Sequence, residues 1–300
     1  GERFTYQISM RSDAPVIGNI KIESPLLDHI KIYKVEQSVM DAPVIDRIQE
    51  IGYITTEPGL MPDLLLPLDN NGYLTLNMAG KTVWIEVNIP NDFPAGEYTI
   101  KFSYETFDFN NPDAPHAIIA TKTMTIEVLP LAKKEQSLIY TRWFYADCIA
   151  DYHNVPIWSD AHFDLVEAYI REAVDVGINM ILVPIHTPPL DTAIGTYRPC
   201  VQLVDITKDA DIYSFSFEKL ERFVDICKRA GVKYYEMAHM FSQWGAKCAA
   251  NIMVEENGVK SYMFGWHVAS SDPVYIDFLK QYIAAIFKEL EVAGISQKTY

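Results

Sequence analysis

The hydrophobic periodicity of the chain changes near residue 130, and this change constrains the fold more than any other feature. Up to that point, short segments alternate apolar and polar residues with period two, as strands with one buried face do. Six such segments stand out: FTYQISM at 4–10, HIKIYKVEQSV at 29–39, YLTLNM at 73–78, TVWIEVNIP at 82–90, EYTIKFSYE at 97–105 and TKTMTIEVL at 121–129. Residues 1–132 are therefore predicted to form an antiparallel β-sandwich.

Residues 133–300 instead alternate strand-like segments with amphipathic helices. LIYTRWFYA at 138–146 and MILVPI at 180–185 are the first two strand-like segments. Three helical patterns end at a glycine, at Gly177, Gly231 and Gly294, as helix C-termini commonly do, and a strand-like segment follows each. Repeated strand–helix units predict a parallel sheet covered by helices.

These units predict the first part of a (β/α)8 TIM-type barrel. We count three units where a barrel needs eight, so the barrel is predicted to be truncated in this sequence. A complete, open, three-stranded α/β domain is the alternative. On the barrel interpretation, Tyr300 lies in or at the start of a strand beside the third one.

Helix start signals are also present in this second part. Asp160 and Ser216 are predicted N-caps of two helices. Asp272 followed by Pro273 is the strongest signal, because a capping side chain precedes proline at the first helical position.

Charge and composition exclude several classes of partner. Lys and Arg number 25 and Asp and Glu 40, which gives a net charge of −15 and disfavours nucleic acid and anionic membrane surfaces. No segment approaches the roughly 18 consecutive apolar residues of a transmembrane helix. The four cysteines lack CxxC spacing, so neither a zinc site nor a disulfide framework is predicted. No metal and no cofactor is predicted. The start GERFTY is typical of a chain after signal removal, so we expect a secreted, periplasmic or cell-surface protein.

Long polar loops follow the carboxyl ends of the predicted parallel strands, where ligands bind in such folds. The loop HTPPLDTAIGTYRPCVQLV at 186–204 combines prolines with hydrogen-bonding groups, and proline lowers the entropy lost in ordering a loop. Six aromatic residues lie in or near these loops: Trp143, Tyr145, Trp158, Tyr197, Trp244 and Trp266. Aromatic rings stack on the apolar faces of sugars, so a carbohydrate ligand is predicted.

Structural roles compete with ligand binding at several of these positions. Glu236 and His239 point to opposite faces if their segment stays extended, and either one is equally well a satisfied structural group. Trp244 and Trp266 are equally compatible with packing. Asp147, Asp151 and His153 resemble metal ligands in spacing, but a solvated loop is the better interpretation.

Three motifs carry a resemblance to a known family: TPPLDTAIGTYRPCVQLVDI at 187–206, EMAHMFSQWGAKCAANI at 236–252 and MFGWH at 263–267. In these motifs the chain resembles the barrel domain of glycoside hydrolase family 123 and uncharacterised barrel domains related to it. Residues 1–132 are similar to the β-sandwich that precedes that barrel.

The resemblance implies a retaining exo-β-N-acetylgalactosaminidase that works by substrate assistance, an exception to the usual two-carboxylate scheme. The family's catalytic Asp-Glu pair follows its fourth strand, so in this chain the pair is expected past Tyr300. The residues expected to line the sugar site are His186, Asp191, Tyr197, Arg198, Gln202, Glu236, His239, Trp244 and Trp266. Glu236 is also a candidate for orienting His239 or Arg198.

Two other functions stay open. A metal-dependent sugar isomerase or hydrolase would use Glu236, His239, His186 and Asp191 as ligands. A non-catalytic carbohydrate-binding protein would keep the sugar site without turnover. If no acid pair follows Tyr300, general acid catalysis would fall to Glu236 or Asp191.

Overall fold

The computed structural model describes residues 1–41, 52–68, 72–108, 111, 116–188, 192–243 and 245–300. The spatial contacts between residues divide the chain into two compact units, Gly1–Glu135 and Gln136–Tyr300. None of the α-helices in the described part has the length and apolar character that a membrane crossing requires.

The first unit consists of antiparallel strands in two sheets. Its strands are β1 (Glu2–Met10), β2 (Val16–Glu23), β3 (Ile30–Met40), β4 (Gly59–Pro67), β5 (Leu74–Leu76), β6 (Lys81–Ile89), β7 (Gly96–Thr106) and β8 (Ala117–Val128), with a short 3₁₀ turn at Leu27–His29. One sheet has the order β1-β6-β3-β4 and the other β5-β2-β7-β8.

A single hydrophobic core joins these two sheets. Val83, Ile85 and Val87 are buried at alternate positions of β6, and Ile100 and Phe102 are buried at alternate positions of β7. Period two places each set on one face of its strand. Because both sets belong to one buried cluster, the sheets pack face to face as a sandwich.

All six strands predicted in this unit are present, and two further strands of its described residues, β2 and β4, were missed. β2 is interrupted by Gly18, where a Cβ atom would meet the Glu105 backbone oxygen at 2.2 Å. β4 contains Pro62 and Pro67 and lies at a sheet edge, where missing N–H donors are tolerated. Both strands therefore lack the regular alternation of their neighbours.

The second unit combines parallel strands, hairpins and helices. Its strands are β9 (Thr141–Arg142), β10 (Met180–Val183), β11 (Asp205–Asp209), β12 (Ile212–Ser216), β13 (Tyr234–Met237), β14 (Ile252–Glu256) and β15 (Val259–Phe264). Its helices are α1 (Ala146–His153), α2 (Asp160–Asp175), α3 (Glu218–Ala230) and α4 (Pro273–Val292), with a 3₁₀ turn at Ser296–Lys298. The coarse prediction of a β-rich, multidomain chain is confirmed.

The parallel sheet has the order β13-β10-β9. Its three strands therefore lie side by side in the order in which they occur along the chain. The last residues extend the array on the far side of β13. Thr299 forms a parallel bridge with Tyr235, Tyr300 donates its N–H to the Tyr235 carbonyl at 2.8 Å, and Met237 donates to Tyr300 at 2.9 Å. Tyr300 therefore stands beside the third strand, as predicted.

Two hairpins in the loops after β10 and β13 build a further sheet. β11 pairs with β12, β14 pairs with β15, and β11 and β14 lie parallel at Thr207–Glu255 and Lys208–Glu256. The resulting order is β12-β11-β14-β15. The long loops of the sequence are thus tied together at the carboxyl edge of the parallel strands.

Helix boundaries agree with the sequence signals in part. Asp272 caps α4 by accepting the N–H of Val274 at 2.8 Å, and Pro273 is the first helical residue, as predicted. The prediction for Asp160 was wrong by one residue, because Ser159 is the N-cap of α2 and accepts the N–H of His162.

Of the remaining cap signals, the N-cap predicted at Ser216 was wrong, and the glycines predicted at helix C-termini are confirmed. The prediction for Ser216 was wrong, because that residue ends β12 and α3 begins after Phe217 without a side-chain cap. Gly177, Gly231 and Gly294 all have positive φ at or just after the helix ends, at +98°, +92° and +69°.

The core of the second unit lies between the helices and one face of the parallel sheet. Ile181, Val183 and Tyr235 point into it from β10 and β13. α4 contributes two fully buried tyrosines whose hydroxyls also bond the loops: Tyr282 donates to the Ile185 carbonyl at 2.9 Å and Tyr275 donates to the Met240 carbonyl. The helix core therefore holds the loops after β10 and β13 in place.

Candidate functional site

The opposite face of the parallel sheet carries the polar groups. The register pairs Met180 with Thr141 and Leu182 with Glu236. Since side chains two residues apart share a face, Thr141, Leu182 and Glu236 point to the same side, away from the helix core. The sheet thus has one apolar face and one face that presents a carboxylate.

Glu236 is the centre of a hydrogen-bonded group at the strand ends. Its Oε2 accepts the Thr141 hydroxyl at 2.8 Å, and its Oε1 accepts the Trp143 indole N–H at 3.1 Å. The Trp143 ring in turn meets the His239 imidazole edge-on, with centroids 5.5 Å apart and an interplanar angle of 78°. We call Thr141, Trp143, Glu236 and His239 the strand-end cluster.

The strand-end cluster brings Glu236 and His239 to the same aromatic ring. The expectation of opposite faces required an extended segment, but β13 ends at Met237, before His239. His239 is exposed and Glu236 is half-buried, so both stay accessible. Because the strand ends before His239, the alternation of side chains along a strand does not determine where the imidazole lies.

His186 holds the backbone of the strand-end cluster from the protein interior. Its side chain is fully buried, and its Nε2 bonds the backbone oxygen of His239 at 2.7 Å. The contact requires the tautomer with the proton on Nε2, and Nδ1 has no hydrogen-bond partner among the described residues. Burial lowers the pKa of His186 from 6.5 to about 4, so the ring is neutral at pH 7.

Gln202 is likewise a buried structural group. Its amide nitrogen donates to the carbonyls of Val204 and Met253 at 2.7 and 2.8 Å, and its amide oxygen accepts the Met253 N–H at 2.9 Å. The side chain therefore pairs with the backbone of β14 as a neighbouring strand would. It links the loop after β10 to the hairpin after β13.

Tyr197 and Trp266 link the loop after β10 to the hairpin β14–β15. Tyr197 is 43% exposed and stacks on Tyr262 with centroids 4.7 Å apart. The Trp266 indole donates to the Thr196 carbonyl at 2.9 Å. Gly265 lies against both Tyr197 and Asn251, and a Cβ there would meet the Asn251 Oδ1 atom at 2.8 Å. We call Tyr197, Tyr262, Gly265 and Trp266 the loop cluster.

Arg198 connects the loop after β10 to α1. Its Nε and Nη2 donate to Asp147 Oδ2 at 3.0 and 2.8 Å, and its guanidinium lies 4.3 Å from the centroid of the Tyr145 ring. The side chains of Arg198 and Asp147 are only 14% and 6% exposed. Asp147 is therefore an ion-pair partner on a helix, not part of a solvated loop.

Two predicted site residues, Asp191 and Trp244, lie outside the described residues. Within the described ranges, no group of three His, Cys, Asp or Glu side chains is arranged to hold a metal ion. Of the ligands considered for a metal site, His186 already bonds the His239 backbone, and Glu236 already bonds Thr141 and Trp143.

Sequence reasoning missed Thr141 and the partnership of Trp143 with Glu236. A signal was present, because Thr141 and Trp143 are two residues apart at the end of the first strand and therefore share a face. Glu236 was expected to orient His239 or Arg198. The structure gives it Thr141 and Trp143 instead, and it pairs Arg198 with Asp147.

Chemically, the site combines exposed aromatic surface with a carboxylate held by two hydrogen bonds. A carboxylate has about four lone-pair positions, and Thr141 and Trp143 occupy two of those of Glu236. Further acceptor capacity therefore exists for hydroxyl groups. Such a mixture at the carboxyl ends of parallel strands is typical of a site for a polar ring with an apolar face.

Comparison with known proteins agrees with this architecture. The family model for the catalytic domain of glycoside hydrolase 123 matches residues 143–300, more than half of the chain. The chain belongs to glycoside hydrolase family 123, and the resemblance seen in its motifs is confirmed. No curated protein sequence matches the chain.

A solved structure of a family 123 glycoside hydrolase from Clostridium perfringens, analysed for the details of glycolipid glycan hydrolysis, has a similar fold. The TM-score is 0.71 at 15% sequence identity, and the match covers 100% of this chain and 52% of that one. The chain thus spans about half the length of that protein, and at this identity the likeness concerns the fold alone.

Proposed function

We propose that residues 136–300 supply the substrate-binding wall of a glycoside hydrolase whose parallel strands belong to a (β/α)8 barrel. Membership in glycoside hydrolase family 123 supports the reaction class. The consecutive parallel order of β9, β10 and β13, continued by Thr299 and Tyr300, supports the barrel, because strands of a barrel follow one another in this way.

The proposed reaction is retaining exo-hydrolysis of a β-linked N-acetylgalactosamine with substrate assistance. The 2-acetamido oxygen of the sugar attacks the anomeric carbon while an acid protonates the leaving oxygen. One carboxylate orients the amide and an adjacent carboxylic acid supplies the proton, and both are expected past Tyr300. The backbone bonds between Tyr300 and β13 support this position, since residues that continue a parallel strand there approach the end of β13.

The observation that carries the proposal is the strand-end cluster. It fixes a carboxylate, an imidazole and an indole at the carboxyl ends of β9 and β13, which flank β10 in the parallel sheet. Tyr197, Arg198 and Trp266 extend the proposed wall, with Asp191 and Trp244 as further candidates. His186 and Gln202 act in this proposal by holding the backbone, because both side chains are buried. A location outside the cytoplasm, where glycans are found, stays a prediction.

The experiment is hydrolysis of a panel of aryl glycosides by the natural protein and by residues 1–300. The panel pairs the β-linked N-acetylgalactosaminide and N-acetylglucosaminide with the β-galactoside and β-glucoside, which lack the acetamido group. We expect the natural protein to release phenol from the acetamido sugars and residues 1–300 to release none.

Three outcomes contradict the proposal in different ways. Equal hydrolysis of the β-galactoside would exclude the acetamido group as nucleophile and leave a glycoside hydrolase of another mechanism. Binding of the sugars without release by the natural protein would favour a carbohydrate-binding protein. Loss of release on chelation would favour the metal-dependent alternative.

A further inference from the structure

Trp143 is a large aromatic side chain that remains partly uncovered at the strand ends. Its exposed fraction is 45%, although its ring is held on two sides, by the hydrogen bond to Glu236 and by the edge contact with His239. Exposed tryptophan keeps apolar area in water, which costs free energy unless a ligand covers it. The ring is thus both fixed in orientation and available.

The groups that hold Trp143 in place are themselves held by residues that are less exposed than its ring. Glu236 is oriented through its second oxygen by Thr141 at 2.8 Å, on the same face of the sheet. His239 is held through its backbone oxygen by the fully buried His186 at 2.7 Å. The Glu236 carboxylate and the backbone of His239 are therefore held before any ligand arrives, which lowers the entropy lost on binding.

We propose that Trp143 is the stacking platform of a sugar subsite and that Glu236 is the positioning residue that fixes its plane. The ligand is a neutral pyranose, whose apolar C–H face lies on the indole. Its hydroxyls bond the ring nitrogens of His239, and Glu236 acts through the ring that it holds. The inference rests on the proposed function for the nature of the ligand, but the platform itself follows from the contacts of the ring.

The decisive variants separate the ring from its support. Trp143→Ala removes the platform, and we expect the Kd of methyl N-acetyl-β-galactosaminide to rise about tenfold. Glu236→Gln keeps both hydrogen bonds, because an amide oxygen can accept from Trp143 and an amide N–H can donate to the Thr141 hydroxyl. Glu236→Leu loses both bonds and releases the ring.

Binding is measured by calorimetry on residues 1–300 with the methyl β-glycosides of N-acetylgalactosamine and N-acetylglucosamine. We expect Glu236→Gln to bind within about twofold of the unaltered protein and Glu236→Leu to bind about fivefold more weakly. The emission maximum of Trp143, obtained by difference against Trp143→Phe, should shift in Glu236→Leu and stay in place in Glu236→Gln. Tyr152→Ala, which removes another exposed aromatic ring of the same unit, is the matched control.

Several outcomes would overturn the inference. Unchanged binding by a folded Trp143→Ala variant removes Trp143 from the site. Equal losses in Glu236→Gln and Glu236→Leu without an emission shift would mean that the Glu236 charge acts on the sugar directly, not through the ring. Circular dichroism of each variant shows whether the fold is kept, and Trp143→Phe provides a conservative replacement if Trp143→Ala unfolds.

The same variants in the natural protein distinguish this inference from the proposed function. Hydrolysis with a KM that rises in Trp143→Ala while kcat changes little supports both. Hydrolysis that is unaltered in Trp143→Ala overturns the subsite and keeps the function. Binding that depends on Trp143 in a protein without hydrolysis keeps the subsite and overturns the function.

Discussion

The predicted site residues differ widely in burial. His186 and Gln202 are almost completely buried and bond backbone atoms, whereas Tyr197 and His239 are exposed. The sequence shows polar residue types in a loop, but the loop's path decides which of them point inward. In this proline-rich loop, polar side chains such as His186 and Gln202 therefore hold the backbone instead of contacting a ligand.

His186 gives a prediction for the pH dependence of stability. The pKa of His186 is about 4 in the folded protein, below the usual 6.5. Between pH 4 and pH 6.5 this side chain is therefore protonated in the unfolded chain but neutral in the folded protein. The stabilisation is complete above pH 6.5 and is lost as the pH falls towards 4. Its full size is about 3 kcal/mol by linkage.

The measurement is the free energy of unfolding from pH 8 to pH 4 for the unaltered protein and for His186→Gln. We expect the unaltered protein to lose stability more steeply below pH 6.5 than His186→Gln does. His267→Gln is the control, since it removes an imidazole from the surface. Parallel curves for the unaltered protein and His186→Gln would contradict the buried, neutral histidine.

At the scale of secondary-structure elements, the loops depend on pairings between distant segments. The hairpins β11–β12 and β14–β15 join through two parallel pairs, and Arg198 ties the loop after β10 to α1. Local sequence predicted the parallel strands and α2 to α4, because their periodicity is strong. It did not predict α1 or the four hairpin strands, because their short segments are stabilised by tertiary contacts.

The ion pair of Arg198 and Asp147 tests how strongly α1 is tied to that loop. Arg198→Met leaves the Asp147 carboxylate buried without this cation, and we expect a loss of about 3 kcal/mol of unfolding free energy. The double variant Arg198→Met with Asp147→Leu removes both charges and should lose less than Arg198→Met alone. Denaturant unfolding measures both, and strictly additive losses would show that the two side chains are not coupled.

At the scale of the whole molecule, each unit has its own hydrophobic core. In the part of the chain that the structure describes, the strand pairs of β1 to β8 all lie within residues 1–135, so these strands pair with one another. A chain of this length buries about two thirds of the surface of its unfolded state, which suffices for an independent domain.

We therefore expect residues 1–135 to fold when produced alone. The measurement is the dispersion of amide proton shifts together with a β-type circular dichroism spectrum. Ile85→Asp in the same fragment places a charge in the core at a fully buried position and should abolish the dispersion. A fragment that is unfolded without this substitution would contradict the prediction.

The sequence by itself determined the division into a strand-rich part and an α/β part, the principal helices and the family. These features follow from local periodicity, caps and contiguous motifs, which need no knowledge of distant contacts. The tertiary structure decided that Glu236 bonds Thr141 and Trp143, that Arg198 pairs with Asp147, and that His186 is buried. Those partners are separated by about 50 to 95 residues along the chain, so only the register of the sheet and the path of the loops bring them together.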